Sequence, residues 1–308
     1  MNPHELSQFI KAEAKSLGFM VCGIAKACDV PPEEAAKITG WVEKGLHGEM
    51  SYLERNAEKR CSPEALVPGC KSIVCVALNY AQPARDENRL HIARYAQGGD
   101  YHKIVKDRLH LLLQRINSVQ AVKGRPFCDS APVMERFWAV KAGLGWIGRN
   151  HQLIIPRQGS YFFLGELFLD CELEYDEPCT ANHCGSCRKC IDSCPTGALT
   201  ASGFDARKCL SYLTIEYHGE LPENIGEKMG NCFYGCDRCA TACPWNNFAT
   251  PCTTRELQAS DELSRMSDKE WYTLTEERYK KLFSRSAVER AGYELLRRNI
   301  DAIKKCRD

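Results

Sequence analysis

The feature that most constrains this 308-residue chain is a short run of closely spaced cysteines, CGSCRKCIDSCP. Its four cysteines are Cys184, Cys187, Cys190 and Cys194, and Pro195 follows the last of them. The C-x2-C-x2-C-x3-C-P spacing is typical of bacterial ferredoxins, in which the fourth cysteine binds a different cluster from the other three. Three thiolates on a tight loop can reach three corners of one cubane, and the fourth enters a following helix. The run therefore predicts iron-sulfur clusters.

A second phrase, CDRCATACP, repeats this ending and supplies Cys236, Cys239 and Cys243. It is one cysteine short of a second complete ligand set. Cys209, in ARKCLSYL, is the best candidate for the missing ligand, and Cys232 is its competitor. We predict two [4Fe-4S] clusters. The first set of ligands is Cys184, Cys187, Cys190 and Cys243, and the second is Cys194, Cys209, Cys236 and Cys239.

A pair of zinc sites is the alternative interpretation of these cysteines, because zinc also favours C-x2-C pairs. The chain has 19 cysteines, and 11 of them lie between Cys171 and Cys243. Since no export signal precedes them, disulfides are not expected, and clustered cysteines in a reducing compartment are more often metal ligands. A zinc ribbon needs only two C-x2-C pairs. It leaves the extra cysteines and both prolines unexplained.

Composition places the chain among ordinary globular proteins, with 44% hydrophobic and 26% charged residues. No window approaches the 18 or so uncharged apolar residues of a membrane span, so no membrane partner is expected. The first 19 residues mix charged and apolar side chains and lack the apolar block of a signal peptide, which predicts a cytoplasmic protein. The net charge of +1 argues neither for nor against a nucleic-acid partner.

The remaining sequence alternates irregularly between helical and strand patterns, which indicates an α+β or mixed α/β fold. Buried strands are predicted at 19–25 and 71–80, and further strands in QLIIP and SYFFLGELFLDCEL. A long amphipathic helix is predicted within 98–119. We expect a catalytic domain at 1–175, a cysteine-rich domain at 176–252 that needs metal to become ordered, and a helical, charged segment at 253–308.

Few residues of the first domain carry a chemical signal of their own. GLGWIG (143–148) matches a dinucleotide fingerprint, but a helix precedes it and a strand follows, so a helix stop and turn is the better interpretation. Asp129 or Ser130 is most simply a helix N-cap with Pro132 in the first turn, and a proton donor at a pocket is the alternative. His102 has the pattern of a surface or capping residue. Basic stretches at 103–125 and 270–308 fit solvated helix faces or phosphate contacts.

Several phrases of the sequence together resemble the epoxyqueuosine reductases, enzymes of the last step of queuosine synthesis in tRNA. They are EKRCSP, GGDYHK, DSAPVMERFWAVKAGLGWIGRN, GSYFFLGELFLD, CGSCRKCIDSCPTGAL, KCLSYLTIE and FYGCDRCATACPWN, with SAVERAGYELLRRN near the C-terminus. Apart from this last phrase they lie between about residues 58 and 246. The ferredoxin phrase is common to many proteins, whereas DSAPVMER and AGLGWIG joined to it are much more specific.

The resemblance implies a nitroreductase-like α+β catalytic domain that binds cobalamin, a ferredoxin-like domain with two [4Fe-4S] clusters, and a reaction at an epoxide in the tRNA anticodon loop. It makes Asp129 the proton donor, which reverses the preference for an N-cap. The cobalamin contacts that it implies are Arg60, Asp129, Leu153, Leu164, Ser211 and Asp237. Longer family members carry a C-terminal helical-repeat extension that this sequence lacks, which bears on the extent of tRNA contact and not on the cysteines.

The implied chemistry is the two-electron reduction of an epoxide to an alkene. Clusters deliver electrons singly, so a cofactor must accumulate reducing power. An ordinary aspartate is ionised at neutral pH, so Asp129 requires desolvation or a supply of protons. We expect an external electron donor and a monomer. The competing interpretations are a cobalamin-dependent reductase of another substrate, such as an organohalide, and a cobalamin-handling or electron-carrier protein without its own substrate.

Overall fold

The computed structural model describes residues 1–83 and 86–307, and it shows a mixed α/β protein. At its centre is a four-stranded antiparallel sheet in the order β1-β2-β7-β4. The strands are β1 (Val21–Lys26), β2 (Ser72–Asn79), β3 (His91–Ile92), β4 (Gly124–Phe127), β5 (Trp146–Ile147), β6 (Leu153–Ile154), β7 (Phe162–Leu169) and β8 (Cys232–Tyr234). Pairs β3-β8 and β5-β6 form two small separate sheets.

Both faces of the central sheet are covered by helices, which explains why β2 reads as an uninterrupted apolar run. Alternate residues of β2, Val74, Val76 and Leu78, pack on one face with the helices at residues 3–16 and 101–119. The intervening residues Ile73, Cys75 and Ala77 pack on the other face with the helix at residues 135–141. A strand with period-two side chains must be apolar on both sides when both faces are buried.

The helices that cover the sheet come from the first half of the chain. They are α1 (Pro3–Ser16), α2 (Pro32–Glu43), α3 (Ala57–Cys61), α4 (Pro63–Leu66), α5 (Tyr101–Val119) and α6 (Glu135–Lys141). The Asn2 side chain and the Glu5 side chain form a capping box at the start of α1, and Asp100 caps α5 by accepting the His102 backbone N–H. These caps set where the two long helices begin on the sheet.

The cysteine-rich segment contains short helices, and longer helices follow it. They are α7 (Lys189–Asp192), α8 (Leu210–Ile215), α9 (Ile225–Met229), α10 (Arg238–Thr241), α11 (Asp261–Arg265), α12 (Asp268–Tyr272), α13 (Glu276–Phe283) and α14 (Tyr293–Lys305). One hydrophobic core joins Leu213 and Phe233 of the cysteine-rich segment to Trp271 and Leu296 of the helices that follow, and it includes Ile92 of β3. The C-terminal helices therefore supply apolar surface that the cysteine-rich segment lacks.

Two sequence predictions about local structure have clear outcomes. The GLGWIG phrase is a helix stop and turn, as expected: α6 ends at Lys141, Gly143 has a φ of +75°, and β5 follows. The N-cap interpretation of Asp129 is wrong, because α6 begins six residues later at Glu135 and its N-cap is Met134. Asp129 has a φ of +56°. It lies in a loop whose conformation is set by contacts and not by helix capping.

No helix among residues 1–83 and 86–307 is long and apolar enough to cross a membrane. The predicted division at 175 and 252 stays a prediction.

Candidate active site and cluster-binding segment

The four cysteines assigned to the first cluster line one cavity. Cys184, Cys187, Cys190 and Cys243 surround a space of about 50 Å³. Cys184 and Cys187 come from the loop before α7, Cys190 lies in α7, and Cys243 lies two residues after α10. Arg149 fixes the mouth of this cavity, because its guanidinium donates a hydrogen bond of 2.8 Å to the Gly185 carbonyl. The structure thus brings together the set predicted from spacing.

The cysteines assigned to the second cluster also lie near one another. Cys239 has Cys236, Cys209 and Cys194 as electrostatic neighbours. The competitor Cys232 instead directs its thiol toward the backbone carbonyls of Tyr234 and Gly235, at 3.4 and 3.5 Å. Burial raises the pKa of the Cys236 thiol to about 11 and that of Cys239 to about 12. Thiolates at these buried positions therefore require a positively charged partner such as iron.

The two sets of cysteines adjoin each other. Cys190 of the first set is among the electrostatic neighbours of Cys239 of the second, and the Ser193 hydroxyl donates to the Arg238 carbonyl across the two loops at 3.4 Å. Among the described residues, no three His, Cys, Asp or Glu side chains converge tightly enough to hold a single metal ion.

Asp129 lies in the loop between β4 and α6, where three groups hold it. The Tyr101 hydroxyl donates to its carboxylate, and His102 Nε2 lies 3.2 Å from the same oxygen. Its backbone N–H donates to the Glu135 carboxylate. Tyr101 is itself fixed by stacking on Phe163 of β7, with ring centroids 4.0 Å apart and planes 2° from parallel.

Hydrogen bonds keep Asp129 ionised and His102 protonated. Burial favours the neutral acid, but the hydrogen bonds from His102 and Tyr101 outweigh it and lower the pKa of Asp129. For His102, burial lowers the pKa, and the contacts with Asp129 and Asp100 outweigh it and raise the pKa. His102 Nδ1 lies 2.7 Å from Asp100, which leaves Nε2 facing Asp129. These contacts favour a proton on His102 beside an ionised Asp129.

A set of side chains around Asp129 is exposed to solvent and yet strongly desolvated. Asp129 has a side chain that is 56% exposed, and Tyr52 is 49% exposed. Nevertheless, burial raises the pKa of Tyr52 to about 12 and lowers the pKa values of Arg136 and His151, which are also exposed. Side chains that are exposed and yet surrounded by protein line a concave surface. A concave surface next to Asp129 is the kind of arrangement that a bound cofactor and substrate require.

The other residues implied as cobalamin contacts lie on several different elements. The Arg60 guanidinium donates to the carbonyls of Leu53 and Tyr52, at 2.8 and 3.3 Å, so it holds the segment that carries Tyr52. Leu153 is buried in β6, and Leu164 is half-buried in β7.

Two further implied contacts lie beside cysteines of the second cluster. Ser211 is in the first turn of α8, two residues after Cys209. Asp237 follows Cys236, and its carboxylate accepts the Arg94 backbone N–H at 2.9 Å. The backbone thus connects the second set of cysteines directly to residues implied to contact cobalamin.

Sequence reasoning missed four participants of this site. Tyr101 and His102 are adjacent in GGDYHK, and His102 was interpreted as a surface or capping residue. Glu135 and Glu166 were not singled out at all, although Glu166 is an acidic residue within the apolar strand FFLGELFL and is fully buried. The sequence does contain a signal for Glu166, because an acidic residue within an apolar strand is unusual and could have been singled out as a candidate site residue.

The ionised Asp129–protonated His102 pair predicts a pH dependence of stability. Because the folded-state pKa of His102 is raised, the stability it contributes is complete below its unfolded pKa of about 6.5 and is lost as pH rises through the folded value. We expect His102→Gln to be less stable than the wild type at about pH 6, with a difference that shrinks toward about pH 9. Urea unfolding across this range measures it. A constant difference would contradict the charged pair.

Comparisons with known proteins agree with this geometry. A family model described as Epoxyqueuosine reductase QueG, DUF1730 matches residues 60–130, and a 4Fe-4S double cluster binding domain matches residues 183–246. An epoxyqueuosine reductase of Leadbetterella byssophila is 45% identical over 98% of this chain and 99% of its own length. One of Pseudomonas aeruginosa is 40% identical over 97% of this chain and 85% of its own.

Solved structures show the same relationship. A crystal structure of epoxyqueuosine reductase with an epoxyqueuosine-modified tRNA-Tyr stem loop is 30% identical, with a TM-score of 0.87, and the match covers 97% of this chain and 80% of that one. A Bacillus subtilis epoxyqueuosine reductase, whose catalytic loop is swung out of the active site, has a TM-score of 0.86 at 29% identity and covers 97% and 81%. The catabolic reductive dehalogenase NpRdhA shares the fold at a TM-score of 0.51 and 18% identity.

Fold and site together define an iron-sulfur reductase in which a double-cluster segment adjoins an α/β catalytic lobe. The likeness to curated relatives extends over nearly the whole sequence. The chain belongs to the epoxyqueuosine reductase family.

Proposed function

We propose that this protein reduces epoxyqueuosine to queuosine in the anticodon loop of tRNA, with cobalamin and two [4Fe-4S] clusters. The observation that carries the proposal is the Asp129–His102–Tyr101 group on the wall of a concave surface. Full-length likeness to epoxyqueuosine reductases, and the stem-loop RNA bound by one structural relative, support the substrate.

The cysteines and the cavity fit the two kinds of cofactor. Cys184, Cys187, Cys190 and Cys243 would hold one cluster, and Cys194, Cys209, Cys236 and Cys239 the other. The residues that would contact cobalamin are Arg60, Asp129, Leu153, Leu164, Ser211 and Asp237. When bound, cobalamin supplies a cobalt centre able to carry the reducing equivalents that clusters deliver singly. The protein's own residues orient the substrate and manage protons.

The proton inventory of the reaction matches the residues at Asp129. Converting an epoxide to an alkene consumes two electrons and two protons and releases water. Negative charge develops on the epoxide oxygen, which an acid within hydrogen-bond reach can neutralise. His102 Nε2 would pass its proton to the ionised Asp129 carboxylate, which would deliver it to that oxygen, and a second proton taken up from solvent by the same pair would complete the water that leaves. The Tyr101 hydroxyl keeps the carboxylate aimed by its hydrogen bond.

The architecture that goes with this function has three parts. The substrate would bind to a nitroreductase-like catalytic domain at 1–175. Electrons would pass through a ferredoxin-like domain at 176–252, and a helical segment at 253–308 would pack against it. A flexible anticodon loop can splay its bases into the concave surface at Asp129. Lys106, whose ammonium group lies 3.3 Å from the Ser130 hydroxyl, is placed to meet a phosphate there. An external electron donor would reduce a monomeric enzyme in the cytoplasm.

A reductase of organohalides is the second candidate, since a reductive dehalogenase has the same fold. The test is anaerobic turnover by protein reconstituted with iron, sulfide and cobalamin, using a chemical reductant. One reaction contains an epoxyqueuosine-modified anticodon stem loop and the other contains 3-bromo-4-hydroxybenzoic acid. We expect a nucleoside lighter by one oxygen atom, only when cobalamin is present, and no bromide. Bromide release without queuosine would overturn the proposal.

A further inference from the structure

A pair of glutamates lies directly beneath the loop that carries Asp129. Glu166 is in the middle of β7, opposite Phe127 of β4 and Cys75 of β2, and its side chain is fully buried. Glu135 is the first residue of α6, which packs on the same face of the sheet. The two carboxyl groups are close enough to share a hydrogen bond when one of them is protonated. Neither oxygen of Glu166 has a conventional hydrogen-bond partner among the described residues.

Such a contact requires a proton between the two groups. Ionised carboxylates only accept hydrogen bonds, so two of them buried side by side would repel each other, with unpaired charge at Glu166. One protonated carboxyl can donate to the other. Glu135 already accepts the backbone N–H of Asp129, which favours the charge on Glu135. The proton therefore belongs to Glu166.

We propose that Glu166 and Glu135 act as a latch in which protonated Glu166 orients Glu135, and Glu135 holds the Asp129 backbone in its left-handed conformation. Asp129 has a φ of +56°, which a residue other than glycine rarely adopts and which surrounding contacts must impose. The hydrogen bond from its N–H to Glu135 is one such contact. Glu135 and Glu166 are thus positioning residues that keep the Asp129 carboxylate at His102 and Tyr101. The inference deepens the proposed function, on which it rests for its catalytic consequence.

The electrostatic surroundings support a shared proton. Burial raises the pKa of Glu166 well above its ordinary value, and Glu135 and Asp129 raise it further. Burial, then Asp129, raises the pKa of Glu135 to about 7. The other titratable groups facing the pair are the buried thiols Cys75 and Cys128, both with pKa values raised by burial, and the Arg136 guanidinium. The thiols supply no positive charge, and Arg136 lowers the pKa of Glu135 but is not among the groups that act on Glu166, which favours the proton on Glu166.

The latch predicts opposite behaviour for amide and apolar substitutions. Glu166→Gln donates an N–H to Glu135 and imitates the protonated acid, whereas Glu166→Leu removes the donor. Likewise, Glu135→Gln keeps an oxygen that can accept the Asp129 N–H, and Glu135→Leu does not. If the two glutamates served only in packing, the leucine variants would hold the Asp129 backbone at least as firmly as the glutamine variants.

Hydrogen exchange of the Asp129 amide, measured without RNA or cobalamin, tests the latch directly. We expect exchange about tenfold faster in Glu135→Leu than in the wild type, a smaller increase in Glu166→Leu, and little change in either glutamine variant. Equal exchange in the wild type and Glu135→Leu would overturn the proposal. If a leucine variant does not fold, the pH dependence of exchange in the wild type and the glutamine variants tests the proposal instead.

In the pH arm, the exchange rate is corrected for its intrinsic dependence on base and followed from about pH 6 to about pH 9. A Glu135 oxygen can accept the Asp129 N–H whether or not Glu135 is protonated, so the latch is intact at low pH. It weakens as pH rises through the raised folded-state pKa values and Glu166 loses its proton as well. Wild-type exchange should accelerate, and Glu166→Gln should remain level because an amide cannot ionise. Parallel profiles would overturn the shared proton. Since no turnover is measured, failure here is separable from failure of the proposed function.

Discussion

Replacing Asp129 by asparagine is expected to lower kcat by about 10²–10⁴-fold, the usual contribution of a general acid. Asparagine has the same shape, can still accept from Tyr101 and cannot transfer a proton. The backbone N–H to Glu135 is unaffected by the change, so the loop should stay in place. Iron content and cobalamin affinity should remain those of the wild type, because the substitution leaves the cysteines and most implied cofactor contacts unchanged.

The matched control is Asp107→Asn, an exposed aspartate on α5 whose ion pair with Lys103 has no connection to the site. It should turn over at the wild-type rate. Single-turnover kinetics on the modified stem loop separates the chemical step from RNA binding. Full activity of Asp129→Asn would remove the role of Asp129 as proton donor, and a loss of bound cobalamin would assign it to binding instead.

Replacing Cys209 by serine is expected to remove the second cluster, lowering iron from about eight to about four atoms per chain, and to abolish turnover. Cys209 adjoins Cys194 and is one of the neighbours of Cys239. Electrons entering at the first cluster would then have no route to the catalytic lobe. Ligand cysteines also contribute folding free energy through the metal, so the protein should unfold at a lower temperature.

Cys232→Ser is the matched control, since Cys232 was the competing candidate for the fourth ligand. Its thiol bonds to backbone carbonyls, so this variant should keep both clusters and its activity. Iron and sulfide analysis after anaerobic purification, with the visible absorption spectrum, measures both variants. If Cys232→Ser lost iron and Cys209→Ser retained it, Cys232 and not Cys209 would be the fourth ligand of the second cluster.

Local spacing allowed the cysteine sets to be predicted because their geometry is encoded within a few residues. Cys184, Cys187 and Cys190 are close in sequence, and Cys243, which the repeated phrase also pointed to, lines the same cavity in the structure. The strands followed in the same way from runs such as SIVCVALN, whose continuous apolar character reflects a sheet covered on both faces. Patterns of this kind depend on neighbours in sequence.

The environment of Asp129 could not be predicted in this way. Its neighbours Tyr101, Glu135 and Glu166 come from α5, α6 and β7, and their convergence depends on how helices cross the sheet. Local rules favoured an N-cap, since an aspartate precedes serine and proline before a helical stretch. The observed left-handed backbone arises from tertiary hydrogen bonds. The residues alone left a proton donor as the alternative, and the resemblance to a family made it the preferred interpretation of Asp129.

The most direct test of the central claim is the electron spin relaxation of cobalt in the reconstituted protein. If the two sets of cysteines form clusters beside the Asp129 cavity, reducing the clusters should shorten the relaxation time of cob(II)alamin bound there. The effect should largely disappear in Cys209→Ser, which lacks the nearer cluster. Unchanged relaxation on reduction, in protein that binds cobalamin and contains about eight irons, would contradict an electron path from these cysteines to the catalytic cavity.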